Sequence, residues 1–203
     1  AIPASKDWTG TTGAVIFAVT SGGQSVPAGT YKTLTMSNTS GTQTAVGALT
    51  VNGTLTTTSG GTLDMSTFQL LGTITPANNG TITTANTTNP AIPASKDWTG
   101  TTGAVIFAAT SGGQFVPAGV YKTLTMSGAG TKDFTGNAST TGAFTINSGS
   151  GAVTAPALLT IAGGYDNQAG DGKFLHNQGT VYFESDSAQG LSGTMTGNSA
   201  FGT

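Results

Sequence analysis

Cysteine and arginine are absent from this 203-residue chain, and charged residues make up only 7% of it. Without cysteine, neither disulfides nor thiolate metal sites can stabilise the fold. Six lysines against eight acidic residues leave no basic surface for nucleic acid, and no run of 18 apolar residues could form a transmembrane helix. We therefore expect no nucleic-acid partner and no membrane insertion.

Glycine and β-branched residues are abundant instead. The 32 glycines and seven prolines interrupt every window long enough for a helix. Val, Ile and Thr recur throughout, which argues against disorder. Short runs with strand composition are separated by Gly, Asn and Ser turns, among them YKTLTM (31–36), ALTVNGTLTT (48–57) and FQLLGTIT (68–75). The sequence therefore predicts an all-β fold.

A long internal repeat organises the chain. Residues 1–37 and 91–127 differ only at Val19/Ala109, Ser25/Phe115 and Thr30/Val120. A duplication this close is typical of a tandem array, and enzymes rarely need two near-identical copies of one segment.

A shorter stretch at the end of the chain, residues 179–203, aligns as a diverged copy. It matches Val181, Phe183 and Gln189 to Val15, Phe17 and Gln24. We therefore expect three units in one continuous solenoid: 1–90, 91–178 (diverged after 127) and the partial unit 179–203.

Within each copy, apolar residues recur at intervals of about 20. The interleaved series are Leu34, Leu55 and Ile74; Leu49 and Leu70; Leu63 and Ile82; and Ile161, Val181 and Phe201. Series that share one period predict a three-faced coil, in which each turn adds a strand to each of three parallel sheets. The alternative is a tandem pair of immunoglobulin-like β-sandwiches, which explains the 90-residue period but not the shorter one.

The strings PAGTYKTLTMS, GALTVNGTLTTTSGGTLDMSTFQLLGT and GTVYFESDSAQGLSGTMTGNSAFGT resemble repeats of large secreted bacterial surface proteins. These are the adhesins and autotransporter passengers that filamentous haemagglutinin typifies. The resemblance extends over nearly the whole chain but includes no signature residue. It implies a right-handed parallel β-helix, an extracellular location and an adhesive or structural role, and it carries over no catalytic residue.

Two sets of residues are candidate binding sites. Trp8 and Trp98, each preceded by Lys-Asp, could stack on sugar rings as a repeated glycan site; the alternative is that each indole packs between turns. Asp166, Asn167 and Asp171 lie in a glycine-bent stretch that offers oxygen ligands for calcium. That stretch lacks the spacing of known calcium loops, so an inserted corner loop is the alternative.

Three other features have simpler structural interpretations. Glu184 and Asp186 form a carboxylate pair, the minimum for glycosidic chemistry, but a solvated outer face explains them as well. His176 is interpreted as a turn or surface residue. The threonine runs 54–58 and 81–84 resemble the rows of ice-binding solenoids, although they are not spaced as one row per turn across many turns.

The sequence predicts a non-enzymatic, extracellular or cell-surface segment that acts as a rigid rod. No polar or helical cap is evident at Ala1 or Thr203, so we expect the rod to stack end to end with further copies of the repeat. Glycans are possible second partners, and calcium is the one possible cofactor. The alternatives are a carbohydrate-binding adhesin module, a β-helix polysaccharide-active enzyme and an ice-binding solenoid.

Overall fold

A computed structural model describes residues 4–10, 13–19 and 21–201. Within them lie short strands and one 3-10 helix. The strands are β1 Lys6–Trp8, β2 Ala14–Phe17, β3 Gln24–Val26, β4 Gly29–Tyr31, β5 Thr33–Met36, β6 Thr42–Ala45, β7 Leu49–Val51, β8 Thr54–Thr57, β9 Thr62–Asp64, β10 Leu70–Leu71, β11 Thr75–Asn78, β12 Thr81–Thr84, β13 Lys96–Trp98, β14 Ala104–Phe107, β15 Gly113–Val116, β16 Gly119–Tyr121, β17 Thr123–Met126, β18 Thr131–Phe134, β19 Ala138–Thr140, β20 Phe144–Ile146, β21 Val153–Thr154, β22 Leu158–Ile161, β23 Tyr165–Asn167, β24 Phe174–Leu175, β25 Thr180–Phe183 and β26 Leu191–Gly193, and the 3-10 helix is η1 Gly197–Ser199.

The chain is a β-solenoid of about 8 turns with roughly 21 residues per turn. Most strands pair in parallel with the strand three positions further along the chain, as β1 does with β4 and β2 with β5, whereas β12 pairs with β14. One sheet, from β3 to β26, contains nine strands. Immunoglobulin-like sandwiches are built from antiparallel sheets, so that alternative is wrong. The predicted coil is confirmed, while its handedness and the unit boundaries stay predictions.

Inward residues stack on their counterparts one turn away, as the sequence predicted for several pairs. Leu34 pairs with Leu55, Leu49 with Leu70, and Leu63 with Ile82. All six side chains are fully or almost fully buried. Alternation along each strand places these residues inside the coil and the intervening threonines outside.

Two predicted columns, the one that continues from Leu55 to Ile74 and the one that runs from Ile161 to Val181, are wrong. The partner of Leu55 is Pro76, not Ile74. Ile74 precedes the strand by one residue and is nevertheless buried, because a two-residue offset keeps a side chain on the same face. Near the end of the chain the coil lengthens to 22 residues, so Ile161 pairs with Phe183 and Val181 pairs with Leu159.

The two near-identical copies do not occupy the same faces. In the first, the second strand β2 stacks below β5, β8 and β11, and the third strand β3 belongs to the nine-stranded sheet. In the second copy it is β14, the counterpart of β2, that joins the nine-stranded sheet by pairing with β12. Residues 85–92 supply the extra side, since the Leu70 amide donates to the Ala91 carbonyl at 3.0 Å. The second copy is therefore rotated by one face.

The last described turn is closed on one face by η1 instead of a strand. Ser199 Oγ accepts hydrogen bonds from the amides of Lys173 and Phe174 at 3.2 and 3.3 Å. The ring of Phe201 lies 4.9 Å from that of Tyr165 and contacts Phe174 and Phe183 edge-on. Ala1 and Thr203, where the sequence analysis saw no cap, fall outside the described residues.

Candidate functional site

The two tryptophans of the predicted glycan site differ in burial. Trp98 is fully buried, and its neighbour in the column is Tyr121. This is the packing between turns that the sequence offered as the alternative, and no sugar ring can reach this indole without rearrangement. Trp8 is only half-buried. Glycan binding stays a prediction, and of the two indoles only that of Trp8 has an exposed surface.

The predicted calcium ligands do not converge. Asp166 and Asn167 are consecutive on β23, so their side chains point to opposite faces of the sheet. The buried Asn167 amide donates to the carbonyls of Gly170 and Thr194, and its oxygen accepts from the Ala169 amide. Asp171 accepts from the Gly172 amide. Asn167 therefore stabilises a corner, as the alternative interpretation expected, and calcium binding stays a prediction without a converged ligand set.

The remaining candidate groups lie on the surface. Glu184 and Asp186 are exposed beyond the end of β25. His176 adjoins the turn at Asn177–Gln178, and its Nδ1 accepts from the Gln178 amide at 3.2 Å. Among the residues that the structure describes, no three His, Asp or Glu side chains group closely enough to hold a metal ion.

The threonine runs form an ordered surface. On one face, outward Thr54 and Thr56 align with Thr33 and Thr35 of the preceding turn. Thr75 continues the row on the following turn. On the adjacent face the outward threonines are Thr42, Thr44, Thr62, Thr81 and Thr83, with Asp64 filling the sixth position. These rows extend over only about three turns, because Ala77 and Asp64 interrupt them.

Buried amides bind the backbone where the coil turns. Gln114 Nε2 donates to the carbonyls of Thr84 and Asn86 at 2.8 and 3.1 Å. Gln189 Nε2 likewise donates to the carbonyls of Ile161 and Gly163, at 2.7 and 2.8 Å. The predicted alignment of Gln189 with the repeat glutamine thus has a structural counterpart, since each side chain donates to two backbone carbonyls at a corner.

One buried lysine was missed by the sequence analysis. Lys132 is fully buried, one turn beyond Gln114, and its Nζ donates to the carbonyls of Gly130, Gly128 and Ala109 at 2.6, 3.1 and 3.2 Å. Burial lowers the pKa of this ammonium to about 8. Its position one period after a corner glutamine was the signal that could have identified it.

Two equivalent shallow grooves lie on the surface. The first, of about 330 Å³, is lined by Ser5, Lys6, Asp7, Ala28, Gly29, Thr30, Ala48 and Thr50. The second, of about 320 Å³, contains the counterparts Ser95, Ala118, Gly119 and Val120. Because the copies are rotated, the two grooves face different sides of the coil.

In the part of the chain that the structure describes, there is no helix with the length and apolar character needed to cross a membrane. A comparison of the chain with protein-family models, curated proteins and solved structures found no match.

Proposed function

We propose that this chain is a stiff structural segment of an extracellular surface or fibre-forming protein, stacked end to end with further copies of its repeat. The observation that carries the proposal is the junction between the copies. There β12 pairs with β14 over four residues, from Thr81–Ala104 to Thr84–Phe107, and the hydrophobic core runs through without interruption. A unit that joins its neighbour by a continuous sheet and core makes a rod.

Support for an extracellular, adhesin-like setting comes from the surface chemistry. The chain keeps itself hydrated with outward threonine and serine hydroxyls and only 7% charged residues. The resemblance to bacterial adhesin and autotransporter repeats points the same way. On this proposal the chain has no enzymatic role, and adhesion is a secondary property of exposed corners.

The rod is tested by adding units. Parallel strands are about 4.8 Å apart, so each 90-residue unit of roughly 21 residues per turn should lengthen the particle by about 21 Å. Small-angle scattering on the protein and on chains with one and two extra copies of residues 1–90 should give a maximum dimension that grows in proportion. Growth that levels off would contradict the rod.

The location needs a separate test. Antibodies against the 1–90 unit should label intact cells of the source organism as strongly as permeabilised ones. Labelling only after permeabilisation would refute a surface role and would leave the rod geometry untouched.

An ice-binding solenoid is a second candidate function, favoured by the aligned threonine rows. Their hydroxyl and methyl groups form a flat lattice, with about 4.8 Å between strands and about 6.7 Å along each strand. Thr54→Tyr with Thr56→Tyr should abolish any inhibition of ice recrystallisation, whereas Thr50→Tyr, on β7 in another sheet, should not. A protein with no such inhibition in the first place would remove this candidate.

A further inference from the structure

The first residues of the two repeat copies, 1–37 and 91–127, are nearly identical in sequence but differ in burial. Trp98 and Val105 are fully buried, while their counterparts Trp8 and Val15 are half-buried. Ile16, the counterpart of Ile106, is 56% exposed. Since the side chains are the same, the difference comes from what covers them.

In the second copy the cover is the turn formed by β10, β11 and β12 with residues 85–92. Asn78 Nδ2 donates to the carbonyls of Trp98 and Ala104 at 3.4 and 3.3 Å. The Ala108 amide donates to the Thr84 carbonyl at 2.7 Å. This turn therefore satisfies backbone groups of the incoming copy as well as covering its core.

The first copy offers the same groups without that turn. In the described residues β1 pairs only with β4, and β2 only with β5. Gln114 Nε2 donates to the Thr84 and Asn86 carbonyls of that turn, and Gln24 is its counterpart in the first copy. The open edge thus has the residues of the junction and lacks the turn that completes it.

Resting on the proposed rod, we propose that the edge formed by β1 and β2 is a docking site for the closing turn of another copy of the repeat, a segment equivalent to residues 68–92. The occupant is defined by the internal junction, because the receiving residues are identical in sequence there. An asparagine equivalent to Asn78 reaches the Trp8 and Ala14 carbonyls. A strand equivalent to β12 pairs with β2.

The docked copy also inherits the rotation by one face. A 90-residue unit at roughly 21 residues per turn is about four and one third turns, so the next copy starts on the neighbouring face. Any exposed feature of the repeat, such as the groove beside Thr30, then appears on successive sides of an array. A partner approaching from any direction meets one of every three copies.

The test extends the full chain by one extra copy of residues 1–90 at its amino end. The protein has no cysteine, so Thr83→Cys in the added copy with Ile16→Cys in the original gives a single pair. That pair corresponds to Thr83 and Ile106, which are Cα partners in the internal junction. A short thiol cross-linker should join it efficiently. Ser25→Cys replaces Ile16→Cys in the matched control, which only unrotated stacking would bring together.

Burial of Trp8 gives a second readout. With the other tryptophans changed to Phe, quenching of Trp8 by acrylamide should fall in the extended chain to the level of Trp98. Asn78→Ala in the added copy should weaken that protection, and outward Thr75→Ala should not. A longer rod without cross-linking and without Trp8 protection would overturn the docking site alone, whereas an extended chain that fails to lengthen would overturn the rod itself.

Discussion

The two copies of the repeat stabilise the same corner with different chemistry. In the first copy, the Asn38 amide donates to the Ser40 and Gly41 carbonyls at 3.3 and 2.8 Å, and Gln43 makes one long contact of 3.5 Å. In the second copy Gly128 replaces the asparagine. Lys132, which follows Gln114 by one turn as Gln43 follows Gln24, binds three carbonyls there.

The difference teaches that the coil constrains positions more strongly than residue types. At a corner several backbone carbonyls lie close to one buried side chain, and a side chain with enough donors at the right register binds them, often in addition to a backbone amide. The amides of Asn38 and Gln43 bind these carbonyls in the first copy, and the Lys132 ammonium binds them in the second. The amides leave Asn38 Oδ1 and Gln43 Oε1 without partners, whereas the ammonium has no acceptor atom to leave unpaired.

The largest effect tests the rotation between the copies. Thr83→Cys with Ile106→Cys should be joined by a short thiol cross-linker in nearly every molecule, because the two residues face outward on adjacent strands. Thr83→Cys with Phe115→Cys should give no product, since Phe115 belongs to another sheet. Mass spectrometry of the digested protein measures the cross-linked peptide of each cysteine pair. The reverse pattern would mean that the copies stack without rotation.

The second prediction compares the two tryptophans. Trp98→Ala should lower the free energy of unfolding by about 4 kcal/mol, because it empties a fully enclosed volume in the core. Trp8→Ala should cost about half as much, because that indole is only half-buried. Urea unfolding followed by circular dichroism measures both. Equal losses would show that Trp8 is covered in solution.

The third prediction concerns the corners. Lys132→Ala should cost about 3 kcal/mol, because it leaves a cavity, removes three donated hydrogen bonds and deprives the Gly130 carbonyl of its donor. Gln43→Ala should cost about 1 kcal/mol, since it removes a single long contact. Lys122→Ala, a partly exposed lysine, is the control and should change the midpoint of urea unfolding very little. A larger loss at Gln43 would reverse the ranking of the two corners.

The sequence predicted the coil because its two periods are visible in apolar residues. Leu49 and Leu70 or Leu63 and Ile82 could be paired by spacing alone. Ile74 and Val181 could not, because corners gain or lose residues and strand parity hides an offset of two. The rotation between copies was also hidden, since it depends on residues 85–92 filling a face without forming a strand.

The candidate sites were harder to predict than the fold. Charge and aromaticity singled out Trp98 and Asp171, yet burial of an indole depends on the neighbouring turn, which composition does not reveal. Lys132 escaped notice because a lone lysine in a polar sequence reads as a surface residue. Only its register with Gln114 shows that it points inward.

The last prediction is the pH dependence of the lysine corner. Burial lowers the pKa of Lys132 from 10.5 to about 8, so between these values the unfolded chain binds a proton that the folded chain releases. The free energy of unfolding should therefore rise with pH above 8. Near pH 10 the rise should reverse, because burial raises the pKa of Tyr31, Tyr121 and Tyr165 and their unfolded phenols ionise first.

Lys132→Ala separates the two contributions. The variant lacks the ammonium but keeps the tyrosines, so it should lose the rise above pH 8 and retain the fall above pH 10. Urea midpoints of the protein and the variant, measured in steps from about pH 7 to about pH 11, give the difference directly. Parallel curves would mean that the three carbonyls compensate the ammonium for its lost hydration, so that the lysine corner would be as insensitive to pH as the amide corner at Asn38.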